Sequence, residues 1–472
     1  MTWRALVSLV LSSTLFLSHA AAEEVPVYDL NHCVQTSLAA NPSLPIAQKD
    51  VDIADARRLA SGAALLSALT VKASETTGRA TDSTSGVTDS PFHERSYGVQ
   101  ATQPLFAGGR LWASRQQAVL GSELSRLQLE KQRLDVLQAA TEAYWRTVAA
   151  ERSLTALREA HDKIQEDLEK AVRHELSKFR SARIELLSTR VQNRECEAAI
   201  AEQEDALARS REALLDAMGE RRIVDFRVAS EIPADHVEVS EAEVIRLVRD
   251  HRPEFRISEK LMESARMARR ISRAETAPHV DLNGFYGRSG AAYDNDPANP
   301  FHYQPSWNAG VTVSWAFLGS TAKVTGYREK ASPELGQSSR TQTDSRTASL
   351  GLGDALSTRI NSMQGRRDYM EEEWKFEKDR RNLEEEARSA LRRMRAAWSR
   401  AAAAQSRVEE SDQQFKETLD LVKEDRAHLG DLAAARMRSA QARASEAEAL
   451  AQHRIALAAL NRAVGVADYF GK

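Results

Sequence analysis

Cysteine is scarce: Cys33 and Cys196 are the only two in 472 residues, so no disulfide framework can hold the fold. Aromatic residues make up 6%, a low share for an all-β protein. Acidic and basic residues nearly cancel to a net charge of −3, which argues against nucleic acid as a partner. No stretch after the N-terminus is apolar for the ~18 residues a transmembrane helix requires, so any crossing of a membrane by the mature chain has to be made by β-strands. Proline is missing between Pro104 and Pro233 and again after Pro333, and Gly121 is the one glycine between Gly109 and Gly219. The eleven histidines have no ligand spacing, and neither a phosphate-binding glycine loop nor a nucleophile context occurs. No enzyme activity, metal or cofactor is therefore expected.

The N-terminus reads as an export signal over residues 1–22. After Arg4 an apolar run from Ala5 to Leu17 leads to His19-Ala20-Ala21-Ala22, whose small residues suit cleavage before Glu23. Cys33 does not stand in a lipidation context. The exported chain is then either a soluble periplasmic protein or an outer-membrane barrel.

The two proline-free zones are rich in Ala, Leu, Glu, Arg and Gln, which favour helix. In the first, Leu120, Leu127 and Leu134 recur every seven residues, Leu137 and Tyr144 lie three beyond that seam, and Leu154, Leu157, Ile164 and Leu168 extend the stripe. This is coiled-coil patterning. It breaks over Ser177 to Ala182 and resumes at Ile184, Leu186 and Leu187, which predicts a hairpin tip.

The chain is duplicated. Asn41-Pro42-Ser43-Leu44 corresponds to Arg252-Pro253-Glu254-Phe255, and Gln103-Pro104-Leu105-Phe106 to Ser314-Trp315-Ala316-Phe317, both at an offset of 211 residues. Ile184-Glu185-Leu186 corresponds to Gly430-Asp431-Leu432, and Gly219 to Gly465, at an offset of 246. The difference of 35 residues is an insertion in the second half, expected at about 332–367 as a surface elaboration outside the helical barrel. The predicted plan is a first repeat over 23–219, with a β-hairpin at 69–106 and a helical hairpin at 110–218. A connection over 220–240 leads to a second repeat over 241–465, with a β-hairpin at 278–318, and a tail over 466–472.

Strand signals sit between the helices. Trp307, Ala309, Val311, Val313, Trp315 and Phe317 alternate with polar or small residues, as in a membrane barrel strand with aromatics near its ends. Tyr97, Val99, Ala101, Gln103 and Leu105 repeat the pattern; Leu69–Thr76 and Val280–Tyr286 are weaker partners, and polar loops are expected over Ala80–Glu94 and Ser289–Pro305. Four strands cannot close a transmembrane barrel, so the chain is expected to be an oligomer. A helix from Arg110 to about Phe179 would be roughly 105 Å long. Arg180–Met218 stacked on Ser240–Thr276 gives a similar length, and by the same logic the helix from Asp431 is expected to stack below the one from Asp29.

In this order and spacing, the Asn-Pro and Arg-Pro helix starts, Gln103-Pro104-Leu105-Phe106-Ala107-Gly108-Gly109, the duplicated hairpins, and the endings Leu215–Gly219 and Leu460–Gly465 resemble the TolC family. The resemblance spans essentially the whole mature chain. It implies a mainly α fold with a membrane β-hairpin pair, three protomers forming a twelve-stranded barrel in the outer membrane above a twelve-helix periplasmic tunnel. It implies a passive conduit for drug efflux or type I secretion, with a periplasmic adaptor and an inner-membrane pump or ABC transporter as partners. Residues Phe179, Arg180, Ser181, Asp425, Arg426 and Ala427 would be adaptor-contact tips; glycine is usual in the family where Phe179 and Asp425 stand. Asp431 and Glu185 would line the gate, with Arg436 and Arg438 as nearby charges of the cancelling sign. Trp307, Val311, Val313, Trp315, Phe317, Tyr97 and Val99 would face lipid. The rival reading, a soluble periplasmic coiled-coil adaptor or scaffold, accounts poorly for two helical hairpins with paired amphipathic strands.

Overall fold

The computed structural model describes residues 26–82, 87–176, 180–220, 225–229, 231–294, 297, 300–330 and 341–469. The expected export signal and Phe179 lie outside them. The chain opens with a short strand β1 (Val27–Tyr28) and helices α1 (Leu30–Ala40) and α2 (Ser43–Ala63), then strands β2 (Ala68–Asp82) and β3 (Val87–Ala107). Helix α3 (Arg110–Leu176) turns back into α4 (Arg180–Met218), and β4 (Arg227–Val228) pairs parallel with β1. The second half runs through α5 (Glu241–His251), α6 (Pro253–Ala274), β5 (His279–Tyr293), β6 (Gln304–Phe317), β7 (Ser320–Lys330), β8 (Gln342–Gly351), α7 (Leu356–Lys423) and α8 (Leu429–Val464).

The duplicated X-Pro pairs break the short helices at matching places. A residue before proline is pushed out of helical geometry. Asn41 (φ −64°, ψ 122°) and Arg252 (φ −68°, ψ 119°) accordingly adopt almost the same extended conformation. Side chains cap the segments they open: Asp29 accepts from the His32 N–H at 2.7 Å and Ser240 from the Glu243 N–H at 3.2 Å.

Stacking of the short helices differs from the expectation. Asn41 Nδ2 donates to the Ala217 carbonyl, and Gly219 sits so close to Ala40 that a Cβ there would lie 2.7 Å from its carbonyl oxygen. Thus α4 abuts the α1–α2 joint, not α5–α6. In the second repeat Gly465 meets Arg252, whose Cα would lie 2.5 Å from a methyl group added at the glycine, so α8 abuts the α5–α6 joint. Summed length could not separate the two pairings, because α4 and α8 are nearly equal at 39 and 36 residues. Each repeat stacks on itself.

Long helices α3 and α7, of 67 and 68 residues, run beside these columns for about 100 Å. Alanine lets the long and short helices approach closely: Ala387, Ala390, Ala397, Ala401 and Ala404 on α7 are buried, as are Ala433, Ala440, Ala447, Ala451 and Ala458 on α8. Midway, Tyr144, Trp145, Val148, Leu214, Met218 and Phe226 form one core with Cys33. Cys196 belongs to another, with Leu157, Ile164 and Met437. Both thiols are buried and free. Burial pushes the Cys33 thiol up to about 12.

The larger departure concerns the sheet. It has six strands in the order β2-β3-β5-β6-β7-β8, every neighbouring pair antiparallel, where four were expected. The strands also run into the predicted polar loops: β3 starts at Val87 and β5 ends at Tyr293. The insertion expected at 332–367 lies partly outside the described residues, which omit 331–340. It is the excursion between Phe317 and Leu356, and residues 356–367 belong to α7. The Ala355 N–H donates to the Gly319 carbonyl at 3.0 Å, so the chain returns to the point it left.

Candidate functional site: the strand wall and the helical tip

The strand register places the predicted lipid-facing residues on one face. Val71 pairs with Val99, Val99 with Tyr286, and Tyr286 with Trp307. Partners across a sheet share a face, so Leu69, Val71, Tyr97, Val99, Leu282, Tyr286, Trp307, Val311, Val313, Trp315 and Phe317 form one apolar surface. All but half-buried Trp307 are exposed, Val71 at 81%. The opposite face carries Thr70, Lys72, Ser74, Gln100, Asn283, Asn308, Thr312 and Ser314, so each strand has a dry and a wet side. Trp315 anchors the wall to the helices through Nε1–H donation to the Thr276 carbonyl at 3.1 Å.

At the far end, Leu186, Leu429 and Leu432 pack with Leu168, Phe415 and Leu419 to join the two hairpin tips. Glu185 Oε1 accepts from the Leu429 N–H at 2.9 Å, and Asp431 Oδ2 accepts from the His428 N–H at 3.1 Å, closing a capping box. Both carboxylates thus sit at the N-terminus of α8, where the helix dipole favours negative charge. Asp431 remains exposed; Glu185 is half-buried between α4 and α8.

Arg436 does not stand free beside them. Its Nε donates to buried Asp167 at 3.0 Å, and its guanidinium lies 4.9 Å over the Phe415 ring. Asp167 also takes the Lys170 ammonium at 3.0 Å. Arg438 is exposed. In the second turn, Asp425 holds φ +61°, the left-handed conformation that glycine ordinarily supplies, and exposed Arg426 and half-buried Ala427 follow it. Arg180 and Ser181 open α4 in the first turn.

The Asp167–Arg436 pair was not anticipated, since no spacing rule links positions so far apart. The β1–β4 pairing was missed for the same reason.

A family model described as "Outer membrane efflux protein" matches residues 33–220, the first repeat with its strands and helical hairpin. Over this first repeat the chain matches the outer membrane efflux protein family. The chain finds no match among curated protein sequences. Its fold matches solved structures along nearly its whole length. A membrane protein from Pseudomonas aeruginosa is 15% identical with a TM-score of 0.73, covering 94% of this chain and 91% of that one. The CmeC outer membrane channel of Campylobacter jejuni gives 14% and 0.72, covering 94% and 87%. The open state of the Neisseria gonorrhoeae MtrE outer membrane channel gives 17% and 0.71, covering 93% and 89%. At such identities the likeness establishes the shared fold.

Proposed function

We propose that this chain is the outer-membrane conduit of a tripartite export system: a homotrimer whose strands span the outer membrane and whose helices cross the periplasm. The observation that carries this reading is the two-sided sheet, apolar on one face and polar on the other, rooted on helices about 100 Å long. A soluble adaptor would bury that apolar face against its own core, and here it is exposed. A lone protomer leaves two sheet edges unpaired among the described residues, which lipid does not tolerate, so assembly is required.

The channel would be passive. An inner-membrane pump or ABC transporter would supply energy, and a periplasmic adaptor would dock on the tips near Arg180, Ser181, Asp425, Arg426 and Ala427. Threefold symmetry would bring three copies of Asp431 and of Glu185 toward one axis, where an acidic ring favours cations. Since Arg436 is engaged by Asp167, it would cancel little of that charge. Asp431 is the more exposed acid, so its ring should dominate.

Fractionation followed by native mass measurement tests the reading: a trimer in the outer membrane supports it, and a soluble periplasmic species rejects it. In planar bilayers, Asp431→Asn should lower cation preference more than Glu185→Gln. These variants keep a side-chain oxygen able to accept the capping hydrogen bonds while removing charge. Unchanged selectivity in an intact Asp431→Asn trimer would leave Asp431 as a helix cap alone.

A further inference from the structure

The extra strands β7 and β8 have the build of transmembrane wall. They are 11 and 10 residues long, and about 9–11 tilted residues suffice to cross a bilayer. Val313 pairs with Val324 and Val324 with Ala348, while Trp315 pairs with Ala322 and Ala322 with Leu350. The apolar face of β6 therefore continues across both added strands, with Val324 52% and Leu350 58% exposed. The other face also continues: Thr312 pairs with Thr325 and Thr325 with Thr347, and Ser314 pairs with Lys323 and Lys323 with Ser349.

A strand has two edges. Those of β6 are taken, one by β5 and the other by β7, which follows it from Phe317–Ser320 to Trp307–Lys330. Among the described residues, the free edges of the protomer are those of β2 and β8. Along an all-antiparallel sheet of six, β2 and β8 run in opposite directions, so β8 of one copy can pair antiparallel with β2 of the next.

We propose that the β7–β8 hairpin is part of the transmembrane wall and that the seam between protomers is β8 against β2, so that three six-stranded sheets close a barrel of eighteen strands. This rests on the trimeric conduit proposed above and replaces the twelve-stranded wall that the family resemblance implies. The tunnel below is unaffected, because the excursion leaves and rejoins at Gly319 and Ala355. Barrel diameter grows roughly in proportion to strand number, so the cross-section would be about twice that of a twelve-stranded barrel. The second copy is the partner these edges require, since their unpaired N–H and C=O groups would otherwise face lipid.

Cysteine pairs locate the seam. Thr347→Cys on β8 is combined in turn with Thr70→Cys, Lys72→Cys and Ser74→Cys on β2. A control panel combines Thr312→Cys on β6 with the same three. All are oxidised in outer membranes, where buried Cys33 and Cys196 should stay silent, and native mass is measured separately. The β8–β2 panel should contain a pair giving covalent trimers at least tenfold above any β6–β2 pair. Deleting residues 320–354 should reverse that preference while native mass remains trimeric. Covalent trimers from β6–β2 pairs in the full chain, or from neither panel in a trimeric sample, would overturn the seam. A monomeric native mass would instead remove the conduit reading on which the seam rests.

Discussion

At the scale of single residues, charge and backbone strain are concentrated at the joints and tips. Arg462 on α8 bridges Asp135 of α3 and Glu254 of α6, while Arg252, 3% exposed, reaches Glu254 and Glu386. Burial pushes the Glu254 carboxyl up, but the Arg462 hydrogen bond and the charges of Arg462 and Arg252 outweigh it and hold it below the usual range. A depressed carboxyl contributes stability above its unfolded value, about 4.3 for Glu, and loses it as pH falls through the lower folded value. The thermal midpoint of the wild type should therefore fall more steeply than that of Glu254→Gln as pH drops below about 5. Arg462→Ala should cost roughly 3 kcal/mol near neutral pH, because it leaves the carboxylates around it short of a cation. Equal pH slopes for wild type and Glu254→Gln would remove Glu254 as the acid-sensitive member. Asp425 presents the other kind of strain. Aspartate tolerates the left-handed region better than most residues, so Asp425→Gly should be neutral or slightly stabilising, whereas Asp425→Val should cost about 1–2 kcal/mol. Thermal melts of the two variants separate these outcomes.

Between elements, the decisive contacts are the two glycine joints. Gly219 and Gly465 have φ +74° and +88°, and each faces backbone of the neighbouring X-Pro break with no room for a methyl group. Gly353 also has positive φ, +73°, but open space around it. Gly465→Ala should thus lower the thermal midpoint clearly more than Gly353→Ala, the conformational cost being shared and the collision not. Comparable losses would mean that the joint yields without resistance. These helix ends were legible in the sequence from glycine and proline alone. Which helix each glycine meets was not, since α4 and α8 could swap partners with little change in column length.

For the molecule as a whole, two long hairpins, paired strands and duplication could be read from periodicity and matched offsets, and they led to the right fold. The extra hairpin escaped because its residues fit the strand pattern only in pairs. Ala322, Val324 and Gly326 make a thin apolar stripe, and Lys323, Arg328 and Lys330 look like an exposed surface. The turn Leu318-Gly319 holds φ +48° and +80°, but Gly108-Gly109 holds φ +60° and +82° directly before α3, so such a pair does not separate a hairpin from a helix start.

The sequence by itself determined the extent of α3 and α4, the places where the short helices break, and the existence of two faces on β6. All of these are local, set by periodicity and by the φ restrictions of proline and glycine. Only the tertiary structure decided which columns stack, that Arg436 is held by Asp167, and that six strands share one sheet. Each of those depends on contacts between distant residues, where several arrangements satisfy the same local rules and packing selects one.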